Sequence, residues 1–228
     1  MTPENRIPEL DVARGICILA MAAIHFLYDI TELYGILPIP LPAVYGLLKS
    51  GGCIFFILSG ISATLGHRHL RRGLTVFGCG MAVSAVTAAT GFLPVRFGVL
   101  QSLGTSMLLW IFFQKLPNAA LLTASSLSLA LGALFERITV SVPFLYPLGL
   151  TPKGFESADF FPVFPFFGYF LAGACLGRMF YSARRSLLPN MSFSSPAPRF
   201  LGFCGRHSLL IYLIHQPILI FAIELVAH

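Results

Sequence analysis

The sequence predicts an all-α fold: a polytopic transmembrane helix bundle of about seven spans, N-in/C-out. Three observations carry that expectation. Hydrophobic residues make up 56% of the chain and charged ones only 11%, far from the mix of a soluble domain. Apolar runs of about 18 to 25 residues follow one another, each long enough to cross a hydrocarbon core. The basic residues are distributed unevenly between alternate connections, as a fixed membrane orientation requires.

The expected spans lie near 10–32, 44–66, 74–92, 98–115, 119–136, 161–181 and 203–226, and the 228 residues form a single domain, 1–228. With the N-terminus inside, the inner flanks hold Arg6, Arg14, Arg68, Arg71, Arg72, Lys115, Arg178, Arg184, Arg185, Arg199 and Arg206. The outer side keeps Arg96, Arg137 and Lys153. The net charge of +6 therefore reads as topology, and not as a nucleic-acid surface.

The first run, DVARGICILAMAAIHFLYDI, is interrupted by Asp11, Arg14 and His25, so it reads as a retained helix and not as a cleaved signal peptide. Residues 33–43 are proline-rich and form an outer loop. The second run places Lys49 near its outer third, where it can pair with Asp29 or Glu32 or bind an acceptor. Gly51, Gly52, Ser59 and Gly60 in the same run are small enough for close helix approach. The connection HRHLRRG, with Arg68, Arg71 and Arg72, is either a topology anchor on anionic lipid or an electrostatic funnel for a cytoplasmic anion such as coenzyme A. Gln101 and Ser102 put polar groups inside the fourth run, as packing or as substrate contacts. Residues 137–160 form the longest outer segment and carry Asp159, another candidate substrate contact. They lead into DFFPVFPFFGYF, whose Pro162 and Pro165 stand where proline disturbs a helix least. Residues 182–202 read as a polar inner loop. The five cysteines are scattered without ligand spacing, and no metal site is expected. No internal repeat is visible, which argues against an inverted-repeat transporter.

The polar positions of the first run are the most informative. Arg14 and His25 lie eleven residues apart, on one helical face and about 16 Å apart along the axis. Asp11, Arg14, Ile18, Met21, His25, Asp29 and Glu32 follow steps of three and four. Such a stripe belongs in a bundle interior or a wet cavity, because ionisable groups in the membrane are expensive. Asp29, at i+4 from His25, is placed to accept a ring N–H and fix the tautomer of a catalytic base. In the last run, Ser208, Tyr212 and His215 share a face. That run also starts inside, so His215 lies near the depth of His25, and the two can meet. The alternative for each histidine is a structural hydrogen bond between helices.

The segment RIPELDVARGICILAMAAIHFLYDI, with FFILSGIS, RHLRRGL, FGVLQSLG, DFFPVFPFFGYFLAG and GRHSLLIYLIHQPILI in the same order, resembles the bacterial membrane proteins grouped with the heparan-alpha-glucosaminide N-acetyltransferase catalytic domain. Arg14 and His25 with ten residues between them are also similar to the signature of the related acyltransferase-3 family. The resemblance implies transfer of an acyl group, usually acetyl, from cytoplasmic acyl-CoA to a hydroxyl or amine, often on a glycan or other cell-envelope molecule. It implies Arg14 as a binder of CoA phosphates and His25 as the base or as the residue that carries the acyl group; spacing alone leaves His215 as an alternative base. In the heparan enzyme the position matching His25 is asparagine and the histidine lies in the following outer segment. Residues 30–43 here hold no histidine, so His25 follows the acyltransferase-3 pattern and heparan itself is not the expected substrate. Larger relatives carry ten or eleven spans, and the shorter chain implies a smaller acceptor, a partner or a homo-oligomer. The sequence therefore points to an acyl-CoA-dependent transmembrane acyltransferase of the bacterial inner membrane. A histidine-containing permease for a polar solute and a non-catalytic membrane scaffold are the alternatives.

Overall fold

The computed structural model describes residues 7–36, 41–91 and 93–227, with the side chains at 32, 33, 41–45, 47–49, 226 and 227 outside that description. The described residues form α1 (Pro8–Tyr28), continued by a π-helical turn (Asp29–Leu33), then α2 (Leu41–Leu65), α3 (His69–Ala89), α4 (Val99–Phe113) and α5 (Asn118–Phe135). A 3₁₀ segment (Pro143–Leu148), α6 (Val163–Phe180), α7 (Pro196–Arg206) and α8 (Ser208–Ala227) follow. Five helices among the described residues are long and apolar enough to cross a membrane: Pro8–Thr31, His69–Ala89, Asn118–Phe135, Val163–Phe180 and Ser208–Leu225. Ser50–Leu65 and Val99–Phe113 are shorter apolar helices. Each of the seven expected runs thus holds an apolar helix.

Two boundaries differ from the sequence reading. Helix α3 begins at His69, so Arg71 and Arg72 form its first turn and only the residues up to Arg68 remain as connection. The expected inner loop 182–202 contains the start of α7. Its prolines mislead, because Pro196 occupies the first helical turn, where the missing N–H is harmless. Pro162 caps α6 in the same manner, with Pro165 in its first turn.

The chain divides into two compact units, one of Met1–Phe55 with Arg185–His228 and one of Phe56–Arg184. In the second unit small residues set the helix spacing. A Cβ on Gly60 would meet the Phe170 carbonyl, and one on Gly173 would meet the Ile57 carbonyl, so α2 and α6 touch backbone to backbone. Gly51, in the first unit, has nothing among the described residues within 4 Å of where a Cβ would stand. Ser125 Oγ donates to the Gly168 carbonyl at 2.8 Å and ties α5 to α6. Without a hydrophobic drive between helices in lipid, such close contact is the main source of association. Gly173→Leu is expected to destabilise the protein by about 1–3 kcal/mol, the range of core overpacking. A thermal melt of the detergent-purified variant checks this, and an unchanged midpoint would contradict the close α2–α6 approach.

In the first unit α1 lies against α7 and α8. A Cβ on Gly15 would strike the Leu201 carbonyl, and one on Gly205 the Asp11 carbonyl. The preceding segment is tied to the same end of α1. Glu9 accepts from Ser186 Oγ and from the Leu187 N–H, both at 2.8 Å.

Candidate functional site

Two polar stations lie along α1 within the first unit. The first is at its N-terminal end. Pro8 in the first turn and the acidic Glu9 and Asp11 suit a helix start. Arg14 Nη1 donates to Asp11 Oδ1 at 2.7 Å. This pair, three residues apart, holds the guanidinium along the helix. Beside it, a cavity of about 400 Å³ opens between α1 and α7, lined by Asp11, Val12, Arg199, Phe200, Phe203 and Arg206 among others. Arg199 and Arg206 were counted in the sequence only as orientation signals. Their spacing of seven residues, two helical turns, was the signal that they share a face.

The second station lies about 16 Å further along the axis. The rings of His25 (α1) and His215 (α8) meet edge to face, with centroids 5.0 Å apart and planes at 80°. His25 Nδ1 lies 2.9 Å from the Met21 carbonyl, and His215 Nδ1 lies 2.5 Å from the Tyr212 carbonyl. A carbonyl only accepts, so each Nδ1 carries the proton and each Nε2 presents a lone pair. The Tyr212 ring stands 5.4 Å from that of His215, which brings Tyr212 into the cluster. Ser208, seven residues earlier at the start of α8, is about 10 Å away along the axis and stands apart.

Asp29 requires a correction. It does not orient His25, because the Met21 carbonyl takes that ring N–H. The chain is still α-helical from His25 to Asp29, whose N–H bonds the His25 carbonyl, so the cause is side-chain direction: a helical side chain leans toward the N-terminus, onto the preceding turn. The π turn follows, with the Tyr34 N–H bonding the Asp29 carbonyl at 3.0 Å and the Ile36 N–H bonding the Ile30 carbonyl at 2.8 Å. Asp29, only 1% exposed, instead accepts from Gln216 Nε2 on α8, at 2.9 Å to each carboxylate oxygen. Gln216 escaped the sequence reading, being adjacent to His215 and off the face shared by Ser208 and Tyr212.

Other expected site residues fall elsewhere. The side chains of Lys49 and Glu32 lie outside the described residues. Arg68, Arg71 and Arg72 are exposed around the start of α3, in the second unit. Gln101 and Asp159, also in the second unit, close the N-terminus of α4. Gln101 Oε1 accepts from the Gly98 N–H at 2.7 Å while its Nε2 donates to Ser84 Oγ at 2.6 Å. Asp159 Oδ2 accepts from the Val99 N–H at 2.9 Å. Both are engaged in helix capping. All five cysteines are free thiols, and the described residues hold no group of three or more His, Cys, Asp or Glu placed to hold a metal.

The family model described as heparan-alpha-glucosaminide N-acetyltransferase, catalytic, matches residues 6–217, a stretch that includes both stations. No curated protein and no solved structure matches the chain. The helices long and apolar enough for a membrane and the matched catalytic model lead to one conclusion: this chain is an integral-membrane protein that belongs to the heparan-alpha-glucosaminide N-acetyltransferase catalytic family, a family of membrane acyltransferases.

Proposed function

We propose that the protein transfers an acetyl or other acyl group from cytoplasmic acyl-CoA to a hydroxyl or amine acceptor, a glycan or another cell-envelope molecule, with His25 as the base. The observation that carries this reading is the pair of stations on α1: an arginine-lined cavity at one end and two imidazoles with free Nε2 lone pairs further along the axis. The chain acts as one seven-span unit in the bacterial inner membrane, N-in/C-out, so the cavity faces the cytoplasm. Arg14, Arg199 and Arg206 hold the phosphates of CoA, for which guanidinium forks are well suited. The pantetheine arm then runs outward along α1 and brings the thioester to His25.

The chemistry follows from the tautomers. His25 Nε2 takes the proton of the acceptor O–H or N–H as the oxygen or nitrogen attacks the thioester carbonyl carbon. The Met21 carbonyl stabilises the resulting imidazolium through the N–H at Nδ1. As the C–S bond breaks, the CoA thiolate leaves and receives the proton from the imidazolium. Every proton is accounted for and no metal is required.

Isothermal titration of acetyl-CoA into the purified protein tests the donor. Saturable binding is expected, and Arg206→Ala is expected to weaken it about 10- to 100-fold, the loss of one charge-assisted hydrogen bond. Arg68→Ala, from the exposed start of α3, separates the cavity from a general electrostatic funnel, since equal losses in both variants would favour the funnel. If folded wild-type protein neither binds acetyl-CoA nor releases CoA, the histidine pair reads instead as the proton relay of a permease, which solute flux in proteoliposomes would reveal.

A further inference from the structure

The contact between Asp29 and Gln216 has a consequence for which acceptor the site takes. A carboxylate only accepts hydrogen bonds, so the Gln216 carboxamide is held with its nitrogen toward Asp29, 2.9 Å from both oxygens. Its oxygen must then point away from the carboxylate. That Oε1 is buried and has no hydrogen-bond partner among the described residues, and neither has His215 Nε2, one residue earlier on α8. Since His215 carries its proton on Nδ1 toward the Tyr212 carbonyl, its Nε2 is also an acceptor. Two buried acceptors without partners thus stand on successive residues of α8, and both side chains reach α1, His215 at His25 and Gln216 at Asp29. Thr31 Oγ1, in the π turn beside Asp29, is a third buried polar atom without a partner. Buried polar groups are nearly always paired in native proteins, so a cluster of this kind marks a place where a ligand supplies the missing hydrogens.

We propose that Gln216, oriented by Asp29, selects the acyl acceptor. Its Oε1 and His215 Nε2 receive two O–H hydrogens from a neutral acceptor bearing neighbouring donors, such as a vicinal diol. Carboxylates and phosphates of similar size are rejected, because they bring lone pairs to lone pairs. A site built to hydrogen-bond a substrate donor discriminates strongly against analogues that lack it, since the buried acceptors are then left unpaired. Asp29 is in this scheme a positioning residue, acting through the amide that it holds. The inference rests on the acyltransferase reading above.

The test follows CoA release from acetyl-CoA by the full-length protein in proteoliposomes, with glycerol and ethylene glycol as neutral probes and glycerate and glycolate as their anionic counterparts. Wild type is expected to use each neutral probe at least about tenfold better than its anionic counterpart. Asp29→Asn adds a donor at position 29 that draws Gln216 Oε1 toward itself, so the KM of the neutral probes rises about tenfold while the KM of acetyl-CoA stays put. The exchange Asp29→Asn with Gln216→Glu restores an amide nitrogen facing a carboxylate and leaves one free oxygen toward the ligand. It is expected to recover the wild-type KM for the probes, which a purely structural role for the pair does not predict for one substrate alone. Equal use of neutral and anionic probes, or equal shifts of both KM values without recovery in the double variant, would overturn the selection by Gln216 and leave the acyltransferase reading intact. Absence of acetyl-CoA binding and of CoA release with all four probes would overturn both.

Discussion

His25→Ala is expected to lower acyl transfer about 10²- to 10⁴-fold, the contribution of a positioned general base, while the variant remains folded and still binds acetyl-CoA. The expectation comes from the tautomer and from position. The Met21 carbonyl holds the proton on Nδ1, so Nε2 is a lone-pair nitrogen before any substrate arrives and no reorganisation is needed to make it a base. The test has an internal comparison, because His215 stands 5.0 Å away with the same tautomer. If His215 receives the acceptor's hydrogen bond without taking its proton, His215→Ala raises the acceptor KM more than it lowers kcat. His25→Ala does the reverse. Exchange of those two patterns would transfer the role of base to His215. Normal turnover by His25→Ala would remove the assigned chemistry altogether.

The parts of this molecule that were legible in the sequence are those set by length and depth. A run of apolar residues long enough for the hydrocarbon core is a helix because every backbone polar group must be satisfied internally; among the described residues five of the seven runs hold a helix of that length and two hold shorter apolar helices. The meeting of His25 and His215 followed from two helices expected to start on the same side, with a histidine at a similar distance along each. What was not legible depended on side-chain direction and on small residues. The reading of Asp29 as partner to His25 counted residues along a regular helix, but the His25 ring leans toward the N-terminus and meets the Met21 carbonyl on the preceding turn. Helix α7 was hidden because its buried face is built from Gly202, Cys204 and Gly205, which a search for large apolar residues passes over. The three arginines of HRHLRRG drew attention by density. Arg199 and Arg206, separated by two turns of an unexpected helix, line the cavity instead.

That hidden helix supplies the second large effect. Gly205→Leu is expected to cost about 3 kcal/mol or more, at the upper end of overpacking penalties, and to abolish acetyl-CoA binding with it. The reason is that the obstacle is backbone and not side chain. A Cβ at 205 would run into the carbonyl of Asp11 and approach the amide of Gly15, while one at Gly15 would run into the carbonyl of Leu201. Neither helix has a rotamer to yield, so α7 must move away from α1 as a body. The Arg-lined cavity between them is then lost, because its walls come from both helices. Gly202→Ala provides the control on the same helix. There a Cβ meets the end of the flexible Arg206 side chain at 3.3 Å and Val12 Cγ2 at 3.9 Å, contacts that adjust without moving backbone. It is expected to keep the wild-type melting midpoint, which is the control it provides, since Gly202 and Arg206 both line the cavity. Loss of binding in both variants would mean that the helix surface, and not its contact with α1, carries the donor. Retention in both would separate the donor site from α7 and leave Arg14 on α1 as the remaining anchor for the CoA phosphates.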